Sequence, residues 1–292
     1  TQNTFRKNTT GSIDSYVAAN PTYGQSVMAY TGTGSNATIA HGLSSAPEMV
    51  ITKRKDDSGD WNVWHTGLGD GTKYIMFATD AGMYSAANIW NSTVPSSSVV
   101  SLGTHASNNY SGGKYAAWCF HSVTGYSKFG SFTGNANATG PSVTTGFKPA
   151  FLMLRRAAGT GDWIIFDSIR NPNNERTKHI KLNVDEGEAT DSTFKVDFND
   201  TGFQIKGTAN DINASSETII YMCFADKRDF SYGLDQSGNN NYWDMKNITE
   251  SDVMLDTPTN NFCTMNPLDK TNIGAVVYTE GNLVVDPTPT EG

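Results

Sequence analysis

The chain has 292 residues, 37% of them hydrophobic and 17% charged, with a formal net charge of −8. That length holds about two domains with apolar material for a sizeable core. No basic stripe is present to neutralise phosphates, so nucleic acid is not an expected partner. No apolar run is long enough to cross a bilayer as a helix and no signal-peptide pattern appears, so membrane insertion is not expected.

Residues 1–22 read as an extended N-terminal linker. The opening at Thr1, without an initiator Met, reads as a processed chain or a piece of a longer one. Beyond the linker, short β-branched and aromatic runs are cut by clusters of Gly, Asn, Asp and Ser, the pattern of many short strands. No window carries an apolar stripe at helical spacing.

A first module is expected over residues 23–124. A Gly-rich opening (Thr31 to Asn36, TGTGSN) precedes a strand after Pro47, and a hairpin turn ends in Gly59-Asp60. Gly and Asp supply the conformations that a tight turn requires. Trp61 starts the return strand, where Trp61, Val63 and His65 share one face while Asn62 and Trp64 share the other. A variable middle holds Tyr84, Trp90 and Tyr110, and a last strand carries Cys119-Phe120.

The same order begins again at residue 125 and runs to 229. At a shift of 102, Pro47 meets Pro149, Arg54 meets Arg156, Gly59-Asp60-Trp61 meets Gly161-Asp162-Trp163 and Trp64 meets Phe166. At a shift of 104, Val99 to Gly103 meets Phe203 to Gly207, and Cys119-Phe120 meets Cys223-Phe224. Ordered matches of this kind imply duplication. The expected fold is all-β: two tandem antiparallel β-sandwiches, jelly-roll or concanavalin-like, with an extended C-terminal segment. Residues shared by the copies are expected to serve the common core: Pro47, Trp61, Trp64, Cys119 and Phe120, with Pro149, Trp163, Phe166, Cys223 and Phe224. Tyr84, Trp90 and Tyr110 lack counterparts and are the candidate ligand-binding aromatics, since exposed rings pack on the apolar face of a sugar.

Residues 230–292 hold two Lys/Arg against nine Asp/Glu, so nearly all the net charge gathers there. The short apolar runs at 253–255, 275–278 and 283–285 are too sparse for a core of their own, and an acidic connector that docks on a neighbour is expected.

Catalytic signals are absent. Cys119, Cys223 and Cys263 fit no zinc spacing, and Cys119 and Cys223, at equivalent positions, read as buried strand residues. Asp56 to Asp60 tempts a calcium reading, but the second copy has Ala157-Ala158-Gly159-Thr160 there; Asp235 to Asn241 lacks the glycine placement and terminal Glu of an EF-hand. Asp185, Glu186, Glu188 and Asp191 crowd one polar stretch, where glycoside hydrolysis needs two carboxylates facing across a cleft. No nucleophile elbow or phosphate loop occurs. No metal and no cofactor are expected, and no enzyme.

A resemblance can be placed on these residues. Tyr30-Thr31-Gly32-Thr33-Gly34-Ser35-Asn36, His41-Gly42-Leu43-Ser44-Ser45-Ala46-Pro47, Met49 to Arg54, Ser58-Gly59-Asp60-Trp61 and Trp64-His65 together resemble a domain of tail-fibre-type and other large virion proteins of marine bacteriophages. Gly146 to Met153, Gly161-Asp162-Trp163 and Phe166-Asp167 look like its second copy. Tyr232 to Asn241, then Met254 to Leu268, resembles the connector placed before a SPRY or concanavalin-like sandwich, which is itself missing as the sequence stops at Gly292. The likeness covers about residues 20–285 and brings no catalytic residues. It implies a viral structural protein, a tail fibre, appendage or decoration on the exterior of an extracellular virion. Its partners would be other virion proteins, further copies of itself as a homo-oligomer, and a host-surface glycan. A polysaccharide depolymerase and a bacterial cell-surface carbohydrate-binding module stand as alternatives.

Overall fold

The computed structural model describes residues 5–225, 276–279 and 284–287. Contacts divide the chain into two compact units, Thr1–Asp226 and Lys227–Gly292. The regular structure of the first unit is nearly all strand, paired antiparallel. Its first half contains β1 (Arg6–Asn8), β2 (Ser15–Asn20), β3 (Gln25–Thr31), β4 (Ala37–Ala40), β5 (Met49–Arg54) and β6 (Trp61–His65). There follow β7 (Lys73–Met76), β8 (Tyr84–Ser85), β9 (Val99–Leu102), a one-turn helix α1 (Ala106–Asn109) and β10 (Lys114–Phe120). The second half begins with β11 (Ser127–Thr133), β12 (Ser142–Thr144), β13 (Pro149–Arg156), β14 (Ile164–Asp167) and β15 (Lys178–Lys181). It ends with β16 (Ala189–Thr190), β17 (Val196–Asn199), β18 (Gly202–Ile205), α2 (Asn210–Asn213) and β19 (Thr218–Ala225).

The two large sheets run in the same order. One is β1-β2-β3-β10-β5-β6-β7-β8 and the other β11-β19-β13-β14-β15-β16, so β3-β10-β5-β6-β7-β8 in the first has its like in the second. Each large sheet is faced by a small one. The pair β4-β9 packs Ile39, Val100 and Leu102 onto Met28, Val50, Trp64, Tyr115 and Cys119. The trio β12-β18-β17 packs Phe198, Phe203 and Ile205 onto Leu152, Leu154, Phe166 and Cys223. Side-chain alternation along each strand sends one set to these inner cores and the other set to the opposite face.

That opposite face is also buried. Met49, Ile51, Val63, Leu68 and Ile75 of the first half meet Phe129, Met153, Trp163 and Ile220 of the second in a third core. The first unit is therefore four sheets deep, small–large–large–small, with the large sheets back to back. Strands apolar on both faces read as continuous runs, which is why β5 begins Met-Val-Ile and β13 carries Phe151-Leu152-Met153-Leu154. Each fully buried side chain of this kind contributes about 1.5–3 kcal/mol.

Both halves also hold one buried Asn in the same place. Asn109, ending α1, donates Nδ2 to the carbonyls of Ser35 and Gly103, each at 2.7 Å, and accepts from the Thr33 N–H at 2.8 Å. Asn213, ending α2, donates to Asn137 and Gly207 at 3.0 and 2.8 Å and accepts from the Asn135 N–H at 2.9 Å. Each side chain thus ties the Gly-rich opening of its half to the loop after the small sheet.

Three expectations change. Residues 1–22 are not a linker: β1 and β2 extend the first large sheet, with Ser15 opposite Tyr30 and Asn20 opposite Gln25. Ser15 and Val17 point inward while Tyr16 stays out, so the segment covers an edge that β3 would otherwise expose. The halves are not two free-standing sandwiches, because the third core joins them. Finally, the shift of 104 is off by one within β9 and β18. Val100 and Leu102 face inward, as do Phe203 and Ile205, so that strand matches at 103, since a slip of one residue would turn every side chain to the wrong face. The shift of 104 resumes at Gly103 and Gly207, which accept equivalent bonds.

In the second unit, strands β20 (Val276–Thr279) and β21 (Val284–Pro287) pair antiparallel. They fall on two of the three expected apolar runs. The rest of the acidic connector 230–292, Cys263 included, lies outside the described residues.

Candidate functional site

A groove of about 660 Å³ opens where the two halves meet, with Trp61, Phe77 and Ala78 on one wall and Leu182, Asn183, Val184 and Asp185 on the other. Its first wall is set by the hairpin before β6. Arg54 braces that turn through Asp56 at 2.8 Å and Asp57 at 3.0 Å, so Trp61 enters the sheet at a fixed height. Trp118 stacks on Trp61 with ring centroids 5.3 Å apart, and the Lys53 ammonium lies 6.0 Å from the Trp61 ring while bonding the Gly59 carbonyl. Trp61 stays half-buried.

The second wall is set by Asn183. Its Oδ1 accepts from the Trp163 N–H at 2.8 Å and its Nδ2 donates to Asp162 at 2.8 Å. Lys181 bridges Asp162 at 3.2 Å and Glu186 at 3.3 Å. With residues 181 and 183 held in this way, the intervening Leu182 and the following Val184 face outward, 48% and 36% exposed. Asp185 is exposed and has no protein partner among the described residues.

Behind the groove, residues 76–83 of the first half are fastened to the second. The Trp163 Nε1 donates to the Met76 carbonyl at 3.0 Å and Phe77 lies 4.5 Å from the Trp163 ring. Arg155, fully buried, donates to the carbonyls of Asp80 and Ala81, and the Gly161 and Met83 N–H groups bond Asp80 and Ala157 across the junction at 2.8 and 2.7 Å. His65, also buried, places Nε2 3.1 Å from the Tyr221 carbonyl. Burial lowers its pKa to about 4, so the ring is neutral at pH 7 and Nε2 is the donor.

The predicted ligand-binding aromatics do not gather in one place. Trp90 is 2% exposed and sits in the first inner core with Ile89 and Leu102; it is a core residue and not a surface platform, because the loop around it folds between the two sheets. Tyr84 is 37% exposed on edge strand β8, stacked on Tyr74 at 5.3 Å. Tyr110 is 52% exposed after α1, with the Arg54 guanidinium 4.6 Å above its ring. Of the expected core, Pro47, Trp64, Cys119, Pro149, Trp163, Phe166 and Cys223 are buried. Phe120 and Phe224 are half-buried beside Phe129, where the halves join. Trp61 departs from the expectation of a sealed core position and lines the groove instead. Phe77, Leu182 and Val184 went unnoticed in the sequence; the signal was two apolar residues alternating with polar ones in a stretch that reads as a solvated loop.

The ionisable groups near the groove are mostly buried or paired. Burial pushes the Cys119 and Cys223 thiols well above their ordinary range. Of the clustered carboxylates, Glu186 pairs with Lys181, and Glu188 with Arg170 at 3.3 Å and Lys178 at 3.5 Å. Asp191 accepts from Thr193, which leaves Asp185 alone at the groove. Among the described residues, no three His, Cys, Asp or Glu side chains could jointly hold a metal.

The model of a family described as a domain of unknown function, DUF7483, matches residues 1–228. The chain belongs to the DUF7483 family. No curated protein and no solved structure matches it. The DUF7483 match takes both halves as a single domain and ends beside Asp226, where the first compact unit also ends.

Proposed function

We propose that this DUF7483 chain is a non-enzymatic display part of a phage virion, a tail-fibre, appendage or decoration protein that contacts a host-surface glycan through the groove between its halves. In this reading the halves are copies of one module, the chain assembles with itself and other virion proteins, and it works on the particle exterior. The observation that carries the glycan reading is the half-buried Trp61, offered at an open groove with apolar neighbours and one unpaired carboxylate. Aromatic faces pack against the apolar face of a pyranose, and a few polar groups at the rim fix its orientation. The matching strand orders and the paired roles of Asn109 and Asn213 support the duplication. The motif resemblance supports the virion setting. A single carboxylate at the groove speaks for binding over hydrolysis, which takes two.

Fluorescently labelled full chain should adhere to host cells, and Trp61→Ala should lose that adhesion while its thermal melt stays cooperative. Release of oligosaccharides from host polysaccharide would favour the depolymerase instead. Adhesion that survives Trp61→Ala would move the site away from the groove.

A further inference from the structure

The molecule contains its own comparison for the groove. Phe77 and Leu182 hold the same place in the two halves: the Phe77 N–H donates to the Trp61 carbonyl at 3.3 Å and the Leu182 N–H to the Trp163 carbonyl at 2.9 Å. Phe77 crosses the junction and covers Trp163, whose indole N–H bonds the Met76 carbonyl. Leu182 does not cover Trp61 in return. It stands exposed, and the Trp61 indole N–H has no protein partner among the described residues. One half fills with its own ring the space that the other half leaves open.

One charged side chain lines that space. Asp185 is the single ionisable residue among those lining the groove, and it is unpaired. Lys181, the cation on that wall, is held between Asp162 and Glu186. Lys53, on the far wall, keeps its charge without a carboxylate partner among the described residues, but its ammonium is bonded to the Gly59 carbonyl and lies 6.0 Å from the Trp61 ring. Recognition of a carboxylate or sulfate ordinarily uses the fork of an Arg or a free Lys, and no Arg lines the groove.

We propose that the groove takes one ring of an uncharged or amino-bearing glycan, packed on Trp61 where Phe77 packs on Trp163, in preference to uronate and sulfated glycans. This specificity rests on the glycan-binding reading above. The ring supplies the missing cover, and Asp185 accepts from a hydroxyl or an ammonium while repelling an anion. Being exposed, this carboxylate shifts affinity only modestly, roughly two- to fivefold for one ion pair.

The test titrates the full chain with three β-1,4-linked tetramers, of glucosamine, N-acetylglucosamine and mannuronate, near pH 6 and at low salt, by tryptophan fluorescence and calorimetry. All three should bind, glucosamine roughly two- to fivefold tighter and mannuronate roughly two- to fivefold weaker than N-acetylglucosamine. Asp185→Asn should erase the preference for the amine and keep the neutral sugar. Leu182→Phe, which gives the second half the ring that Phe77 gives the first, should abolish binding with an unchanged melt. Mannuronate binding as tightly as the neutral sugar would overturn the specificity and leave the glycan reading standing, as would an amine preference that survives Asp185→Asn. Binding that persists in Leu182→Phe would overturn the groove as the site. Failure of all three sugars to bind would remove both readings.

Discussion

Two tryptophans at matching positions separate what a residue type predicts from what its surroundings decide. Trp163 is covered by Phe77 and donates its indole N–H, so Trp163→Ala should cost about 3–5 kcal/mol, the usual range for a large buried aromatic. Trp61 keeps one side at the groove, so Trp61→Ala should cost about 1–2 kcal/mol. Urea unfolding of the two variants checks the order, and equal losses would mean that Trp61 is sealed after all. The pattern Gly-Asp-Trp made both residues visible in the sequence but not the difference between them, because that difference is made by Phe77 and Leu182 from elsewhere in the chain. Trp90 was misread for a related reason: a lone Trp in a variable loop looks the same whether the loop folds outward or between sheets. His65 carries a further prediction. Its folded pKa of about 4 lies below the ordinary 6.5, so below pH 6.5 the unfolded chain takes up a proton that the folded one refuses. Its contribution to stability is full above pH 6.5 and falls by about 1.4 kcal/mol per unit down to about pH 4. Denaturation midpoints at several pH values should show this slope, and it should flatten in His65→Gln.

At the scale of elements, the buried Asn residues act as joints. Asn109→Ala removes both donors and the acceptor that bind Ser35, Gly103 and Thr33, leaving three backbone groups to find new partners. It should cost about 3 kcal/mol, read by chemical denaturation, whereas an exposed Asn such as Asn137 should lose little. The segment that follows β7 is a second joint. A Cβ on Gly82 would come within 2.1 Å of the Ala158 carbonyl, so Gly82→Ala should lift residues 77–83 from the second half. Trp163 would then be uncovered, and tryptophan emission should shift to the red in the folded protein. How these elements were legible varies. Pro47 and Pro149, the Gly-Asp turns and the Cys-Phe strands mark β5, β6 and β10 and their counterparts, because a hairpin writes its turn chemistry into local sequence. β1 and β2 are hard to read, since short strands near a sheet edge with one polar face resemble a linker. The back-to-back packing was written in Met49-Val50-Ile51 and Leu152-Met153-Leu154, where the alternation of a half-exposed strand is missing; such a run names a second buried face but not what buries it.

At the scale of the molecule, the third core makes one cooperative body of residues 5–225. A single unfolding transition is expected, with the signals of both halves coincident, and two resolved transitions in calorimetry would contradict it. A chain cut after residue 124 should aggregate or remain unfolded, because Met49, Ile51, Val63, Leu68 and Ile75 would face water together. Val27 is 36% exposed where its counterpart Phe129 is buried, so β3 and β11 do not take equal part in joining the halves. The halves are alike in fold and unlike in how they pack at the junction.

The back-to-back sheets also set a clock on biosynthesis. The first half leaves the ribosome about a hundred residues before the second is complete. At the usual pace of synthesis this is an interval on the order of 5–20 s. Throughout it, Met49, Ile51, Val63, Leu68 and Ile75 have been made while the residues that cover them in the third core have not. Slowing synthesis between residues 125 and 225 should therefore lower the soluble yield, because it lengthens the time that this apolar face is uncovered.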